Sequence, residues 1–196
     1  SIPELVVKDY IVAGQEFISK IKKKVDKVVL LVNSDRSTYK DLPTHFSEAD
    51  LIYTSGSTTL TRPMMRQLVN GPYLYSSGRE GRYLNVTELN IAKKSLPVTN
   101  VTFLKENMKY TQRKLDRLQD SAREKTLEEI YAGQEAVLEK ITQSRNSITH
   151  SREILEAAVN TLYFENVPMG AQIIDDENMM SFVNETLSKC SDLKNQ

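Results

Sequence analysis

The stretch Leu115-Asp116-Arg117-Leu118-Gln119-Asp120-Ser121-Ala122-Arg123-Glu124-Lys125-Thr126-Leu127-Glu128-Glu129-Ile130 decides how the C-terminal half is read. Upstream of it, Val101, Leu104, Met108, Thr111, Leu115, Leu118 and Ala122 follow one another in steps of three and four. Downstream, Leu127, Ile130, Gln134, Val137, Ile141, Ser144, Ile148, Ser151, Leu155, Ala158 and Leu162 do the same. Such spacing puts the apolar residues on one stripe of a helix. The two registers do not join, because Ala122, Thr126 and Ile130 make a four-four step. That step is a stutter, which locally unwinds a left-handed supercoil. Asn100 is able to cap such a helix, and no proline follows until Pro168. The periodicity therefore predicts one long coiled-coil helix, about 100 Å if some 65 residues rise 1.5 Å each.

Charges on this predicted rod are segregated. Lys105, Lys109, Arg113 and Arg117 form a basic stripe, and Asp120, Glu124 and Glu128 form an acidic one. Like charges four apart on a helix repel, so the order favours a neighbouring helix of opposite pattern. An antiparallel second copy would supply it. Tyr110 is the only aromatic within the basic stripe. Base stacking is disfavoured on that ground, and nucleic acid is not the expected partner.

Outward from the rod, four segments are expected. Residues 1–46 form an N-terminal heptad segment, 47–97 a small α+β module or elaborated connector, 98–167 the rod, and 168–196 a short helix folding back. In the first, Val7, Ile11, Gly14, Ile18, Ile21, Val25, Val28 and Val32 keep four-three spacing and favour a continuous helix. The β-branched run Val28–Val32 leaves a strand open as the alternative. In the second, Leu51-Ile52-Tyr53, Tyr73-Leu74-Tyr75 and Arg82-Tyr83-Leu84 read as short strands between turns. Thr61-Arg62-Pro63 looks like the start of a helix ending at Gly71, and Asn85-Val86-Thr87-Glu88 like a capping box opening another. In the last, Asp175 and Asp176 begin a helix whose Met179, Val183, Leu187 and Cys190 share a face. The fold class expected is mainly α with a small α+β middle module.

Composition narrows the chemistry. The 196 residues carry 26 Lys+Arg and 26 Asp+Glu, a formal net charge of zero, so no global field draws in nucleic acid. The longest near-apolar run, Val25–Val32, is interrupted by Asp26 and Lys27 and is too short to span a bilayer. Glu4, Lys8 and Asp9 are out of place in a signal peptide. A lone cysteine, Cys190, rules out an internal disulfide and favours an intracellular, reducing setting. His45 and His150 have no partner at metal-ligand or triad spacing, and Asp175, Asp176 and Glu177 lack the glycine of a calcium loop. No catalytic residue, cofactor or metal is expected.

Tyr53-Thr54-Ser55-Gly56-Ser57-Thr58 resembles the phosphate-binding loop of the AMP-forming adenylating enzymes. That family's pattern continues with Gly, a variable residue, Pro and Lys, where this chain has Thr59, Leu60, Thr61 and Arg62. The resemblance would imply a nucleotide-binding enzyme. The order helix, β-containing middle, long return helix is similar to that of prefoldin, which would imply a chaperone. The reading best matched to the seams is a non-enzymatic scaffold or interaction subunit of a larger complex, homo- or hetero-oligomeric through its coiled coil. Its expected contact residues are Leu104, Met108, Leu115, Leu118, Leu127, Ile130, Val137, Ile141, Ile148, Leu155 and Leu162, with Lys105, Lys109, Arg113 and Arg117 beside them.

Overall fold

A computed structural model describes residues 8–68, 71–120, 122–170 and 172–194. The expected rod is absent. Helix α3 covers Val101–Gln119, α4 is one turn at Leu127–Ile130, and α5, the longest helix, covers the 23 residues Glu135–Ala157. The chain is mixed α/β, and among the described residues its strands form two three-stranded sheets.

The N-terminal segment shows why the heptad stops. Helix α1 (Tyr10–Ile21) starts where the Asp9 carboxylate accepts from Ile11 N and Val12 N, both at 3.0 Å. Gly14, the weak member of the apparent seam, lies beneath Phe46, and a Cβ there would sit 2.6 Å from the ring. Lys22, Lys23 and Lys24 close the helix, where cations suit the negative end of its dipole. The next run is strand β1 (Val29–Asn33), so the continuous helix gives way to the β-branched reading. Val7 lies outside the described residues.

Strand β1 pairs in parallel with β2 (Leu51–Ser55), and β2 with β3 (Tyr73–Tyr75). A 3-10 turn (Tyr39–Asp41) and the short helix α2 (Leu42–His45) connect the first two strands. Alternation along β2 sends Ile52 to one face, against Ile18, Leu42, Phe46 and Leu74. Leu51 goes to the other, with Tyr75, Leu162 and Phe164. That second face meets another sheet, of order β4-β6-β5, built from β4 (Tyr83–Asn90), β5 (Val98–Asn100) and β6 (Asn160–Pro168). The body thus has three layers: helices, parallel sheet, mixed sheet.

Two expected helices are replaced here. Asn85 caps nothing, because residues 83–90 pair antiparallel with β6 from Tyr83↔Pro168 to Asn90↔Thr161. Tyr83, Asn85, Thr87 and Leu89 are half-buried while Leu84, Val86, Glu88 and Asn90 are exposed, the period of a strand. Eight cross-strand pairs outweigh one local capping pattern. Thr61 opens no helix either. Its buried hydroxyl accepts from Ser76 N at 2.9 Å and lies 3.0 Å from the Tyr39 hydroxyl.

The rod is overturned at both ends of its second register. Thr126 starts a new helix with its own capping box: its hydroxyl accepts from Glu129 N at 3.2 Å, and the Glu129 carboxylate accepts from Thr126 N at 2.7 Å. The Gln119 amide donates to Ala122 O at 3.1 Å and also reaches Lys125 O, wrapping the turn. Gly133, at φ +81°, supplies the left-handed residue between α4 and α5. Helices α3 and α5 therefore return on each other, with Leu118 opposite Lys140 and Ser144, and Met108 opposite Ile148 and Arg152. The final heptad residue, Leu162, belongs to β6 and is wholly buried between the sheets. The segregated charges therefore need no long partner helix: Glu128 pairs with Arg145 across the hairpin.

Asn160 fastens hairpin to body. Fully buried, its side-chain oxygen accepts from Ala92 N at 3.0 Å and Lys93 N at 2.9 Å, and its amide donates to Lys93 O and Leu96 O at 2.7 Å each. Helix α6 (Glu177–Lys194) ends the described chain, with Met179 N donating to Asp176 Oδ1 at 2.9 Å.

Asn160→Ala is expected to cost about 3 kcal/mol, since it removes a fully buried side chain and four part-buried hydrogen bonds to backbone groups. Urea unfolding checks this, and a loss under about 1 kcal/mol would remove Asn160 as the fastening. Burial raises the phenols of Tyr39, Tyr73 and Tyr75 above their ordinary value of 10.0. The unfolded chain releases those protons first, so stability is to fall as pH climbs past about 10. In an ultraviolet titration these three of the nine tyrosines should ionise only with unfolding. A single tyrosine class titrating in the folded protein would contradict the burial.

Candidate interaction surfaces

The heptad residues are brought together, but by one another. Leu115, Leu127 and Ile141 form the buried centre of the hairpin, with Leu118, Ile130, Val137 and Ile148 packed against them. Leu104 lines a cavity of about 380 Å³ shared with Tyr73 and Ile154 at the hairpin's base, and Leu155 is half-buried. Met108 lies beside Lys109 and Ile148 in a shallower groove.

The four cations of the stripe are spread along α3. Lys105 sits over the Tyr163 ring, 5.6 Å from its centroid, and Lys109 is 3.8 Å from Glu106. Arg113 is exposed, and Arg117 lines the groove between the hairpin's helices. That groove holds about 590 Å³ and is floored by Leu115 and Leu118. Lys114, Arg117 and Lys140 rim it, and no carboxylate lines it. None of the three makes an ion pair with a described residue, although Lys114 lies 4.4 Å from the Tyr110 ring centroid. Lys114 and Lys140 were not among the expected contacts; each directly precedes a seam residue, Leu115 or Ile141.

Helix α6 carries an exposed apolar face. Met179, Met180, Phe182, Val183 and Leu187 are 60%, 41%, 64%, 38% and 62% exposed. At 100° per residue they occupy one side, while Ser181, Asn184, Glu185 and Ser188 occupy the other. From Glu177 to Ser191 every side chain is exposed. Met180 and Phe182 were missed beside Met179, Val183 and Leu187, although their i+1 and i+3 offsets widen the same stripe.

The Tyr53–Thr58 turn spans the end of β2 and the start of the loop beyond it. Three of its hydroxyls are engaged internally, Tyr53 with Thr87, Thr54 Oγ1 with Ser34 Oγ at 3.0 Å and Ser57 Oγ accepting from Thr59 N at 3.1 Å, while Ser55 and Thr58 are exposed. Gly56, at φ +83°, packs against Asn33 and Ser34, where a Cβ would approach Ser34 O to 2.6 Å. A second cleft, about 460 Å³, opens at the amino end of the parallel sheet beneath three ion pairs. These are Lys22–Glu48 at 3.2 Å, Lys27–Asp50 at 3.0 Å and Lys94–Asp26 at 2.7 Å. His150 stands 3.8 Å from Glu153 on the surface, and Cys190 is exposed. Among the described residues no His, Cys, Asp and Glu group is arranged to hold a metal ion, and no helix is long and apolar enough to cross a membrane.

Comparison of the chain with protein-family models, with curated proteins and with solved structures finds no match.

Ile141→Ala should cost about 3 kcal/mol, as a cavity in the hairpin centre. In the monomer, Phe182→Asp should change the unfolding midpoint by an amount equivalent to less than about 0.5 kcal/mol, because its ring touches no core of its own chain. Paired chemical-denaturation curves test both. Equal costs would mean that α6 packs on the body in solution.

Proposed function

We propose that this chain is a non-enzymatic protein-interaction subunit whose C-terminal helix α6 docks its apolar face on a protein partner. The observation that carries the reading is that 18-residue helix, amphipathic and exposed from Glu177 to Ser191. An isolated helix of this size is marginal in water and draws its stability from packing of its apolar side. Contiguous apolar surface of this kind marks interaction sites rather than ordinary monomer surface. Met179, Val183 and Leu187 recur at the i, i+4, i+8 spacing by which a helix anchors in a groove. Elsewhere the buried cores of the sandwich and of the hairpin are built from their own side chains, and the exposed apolar residues outside α6, such as Phe17 on α1 and Leu31 on β1, are spread over several elements. The internally bonded hydroxyls of the Tyr53–Thr58 turn support placing activity in binding rather than chemistry.

The test is a photo-activatable phenylalanine analogue installed in living cells at Phe182 and, as its control, at Ser188 on the opposite side of α6. Protein adducts are expected at Phe182 and not at Ser188. No adduct, or equal yield at both positions, would overturn the reading.

A further inference from the structure

We infer that the partner of α6 is a second copy of this chain, and that α6 of each copy lies in the α3/α5 groove of the other. The inference rests on the reading of α6 as a docking helix and adds its occupant. Groove and helix match in three respects.

The first is apolar surface. Leu115 and Leu118 floor the groove, and Met179, Val183 and Leu187 form the ridge of the α6 face. The second is length. The groove follows α3 from Thr111 to Leu118 and α5 from Lys140 to Ser147, about two turns or 10 Å on each wall. Met179 to Leu187 spans about 12 Å, so the ridge and the floor are the same size. The third is charge. The rim presents Lys114, Arg117 and Lys140, with no acid in the lining and no ion pair to a described residue. The segment leading into α6 presents Asp175, Asp176 and Glu177, also without an ion pair to a described residue.

Three cations on one surface and three anions on the other, both beside apolar strips, are complementary in sign and number. Burying the rim against the acidic segment removes the mutual repulsion within each set. Reciprocal exchange of α6 closes the assembly with two equivalent contacts about a two-fold axis and leaves no free groove. The groove's own α6 does not fill it, because every side chain from Glu177 to Ser191 is exposed.

A charge-swap experiment on the full chain tests the assignment. One variant carries Lys114→Glu, Arg117→Glu and Lys140→Glu; the other carries Asp175→Lys, Asp176→Lys and Glu177→Lys. All six side chains are on the surface, and circular dichroism verifies that each variant keeps its helicity. Sedimentation equilibrium is expected to show a dimer for the native chain that weakens as salt rises from about 50 mM to about 500 mM. Each variant alone should dimerise about a hundredfold more weakly. An equimolar mixture should recover the native affinity, because each acidic groove then meets a basic helix start and each basic groove an acidic one.

A native chain that stays monomeric at every concentration overturns the inference, as does a dimer indifferent to both variants, or a mixture that fails to recover. If either variant loses helicity, Leu187→Asp serves in its place, and an undiminished dimer then refutes the exchange. Any of these results with adducts to another protein at Phe182 would leave the docking role of α6 standing and remove only the second copy.

Discussion

Strand β2 has to be buried on both faces, and the arrangement of the body follows from that. A strand with Leu51 and Tyr53 on one side and Ile52 and Thr54 on the other leaves no face for water. Helix α1 and the α2 turn cover the first face, and the mixed sheet covers the second. Filling the second face takes large side chains, which is where Tyr75 stacks on Phe164 with ring centroids 4.2 Å apart. The same burial obliges polar groups at the strand ends to pair inside the protein, as Ser34 does with Thr54 and Tyr39 with Thr61. Asn100 does both jobs at once: its oxygen caps α3 through Phe103 N, and its amide reaches the Tyr75 hydroxyl at 3.3 Å. The site where the hairpin leaves the body is thus tied to the aromatic layer.

Apolar surface is unevenly satisfied along the chain. The buried cores of sandwich and hairpin are each built from their own side chains, while the apolar face of α6 from Met179 to Leu187 is exposed. On the proposed reading, stability and association are carried by different residues: a substitution in the Leu115–Ile141 centre acts on the fold, and one on the Phe182 side of α6 would act on docking. The Lys114, Arg117 and Lys140 rim sits between these roles, since its cations ride on helices held together by apolar packing beneath them.

Much of this was legible in particular residues. Leu51–Tyr53 and Tyr73–Tyr75 announced strands because they are short, aromatic or β-branched, and bounded by turns. Of the heptad residues between Leu104 and Leu155, those within α3, α4 and α5 lie on helices, whereas Ala122 and Gln134 fall in the turns between them. What periodicity does not encode is whose helix meets them, because a seam packs as well on a second helix of the same chain as on another chain. The mismatched registers around Ala122–Ile130 marked the break, but a stutter and a hairpin turn leave the same trace in spacing alone. Leu162 shows the opposite ambiguity. Seven residues after Leu155 it completes a heptad, and two before Phe164 it alternates as a strand, and the pairing with β4 and β5 decides between them. The groove cations were harder still, since Lys114 and Lys140 become neighbours only once α3 and α5 have folded together. For α6 the face was visible in Met179, Val183 and Leu187, whereas its exposure is a property of the tertiary fold.

The junction of the hairpin with the sheet bears on how such a chain assembles in time. Strands β5 and β6 are parallel neighbours, Val98 opposite Asn160 and Asn100 opposite Leu162, so the hairpin leaves and re-enters the body within a few residues of itself. The pairing of β4 with β6 joins partners as far apart as Tyr83 and Pro168, a costly closure for an unstructured chain. Once α3 and α5 have zipped together through local contacts, most of the intervening chain no longer counts toward that closure. The hairpin then works as a shortcut along the sequence, turning a distant strand pairing into a nearby one.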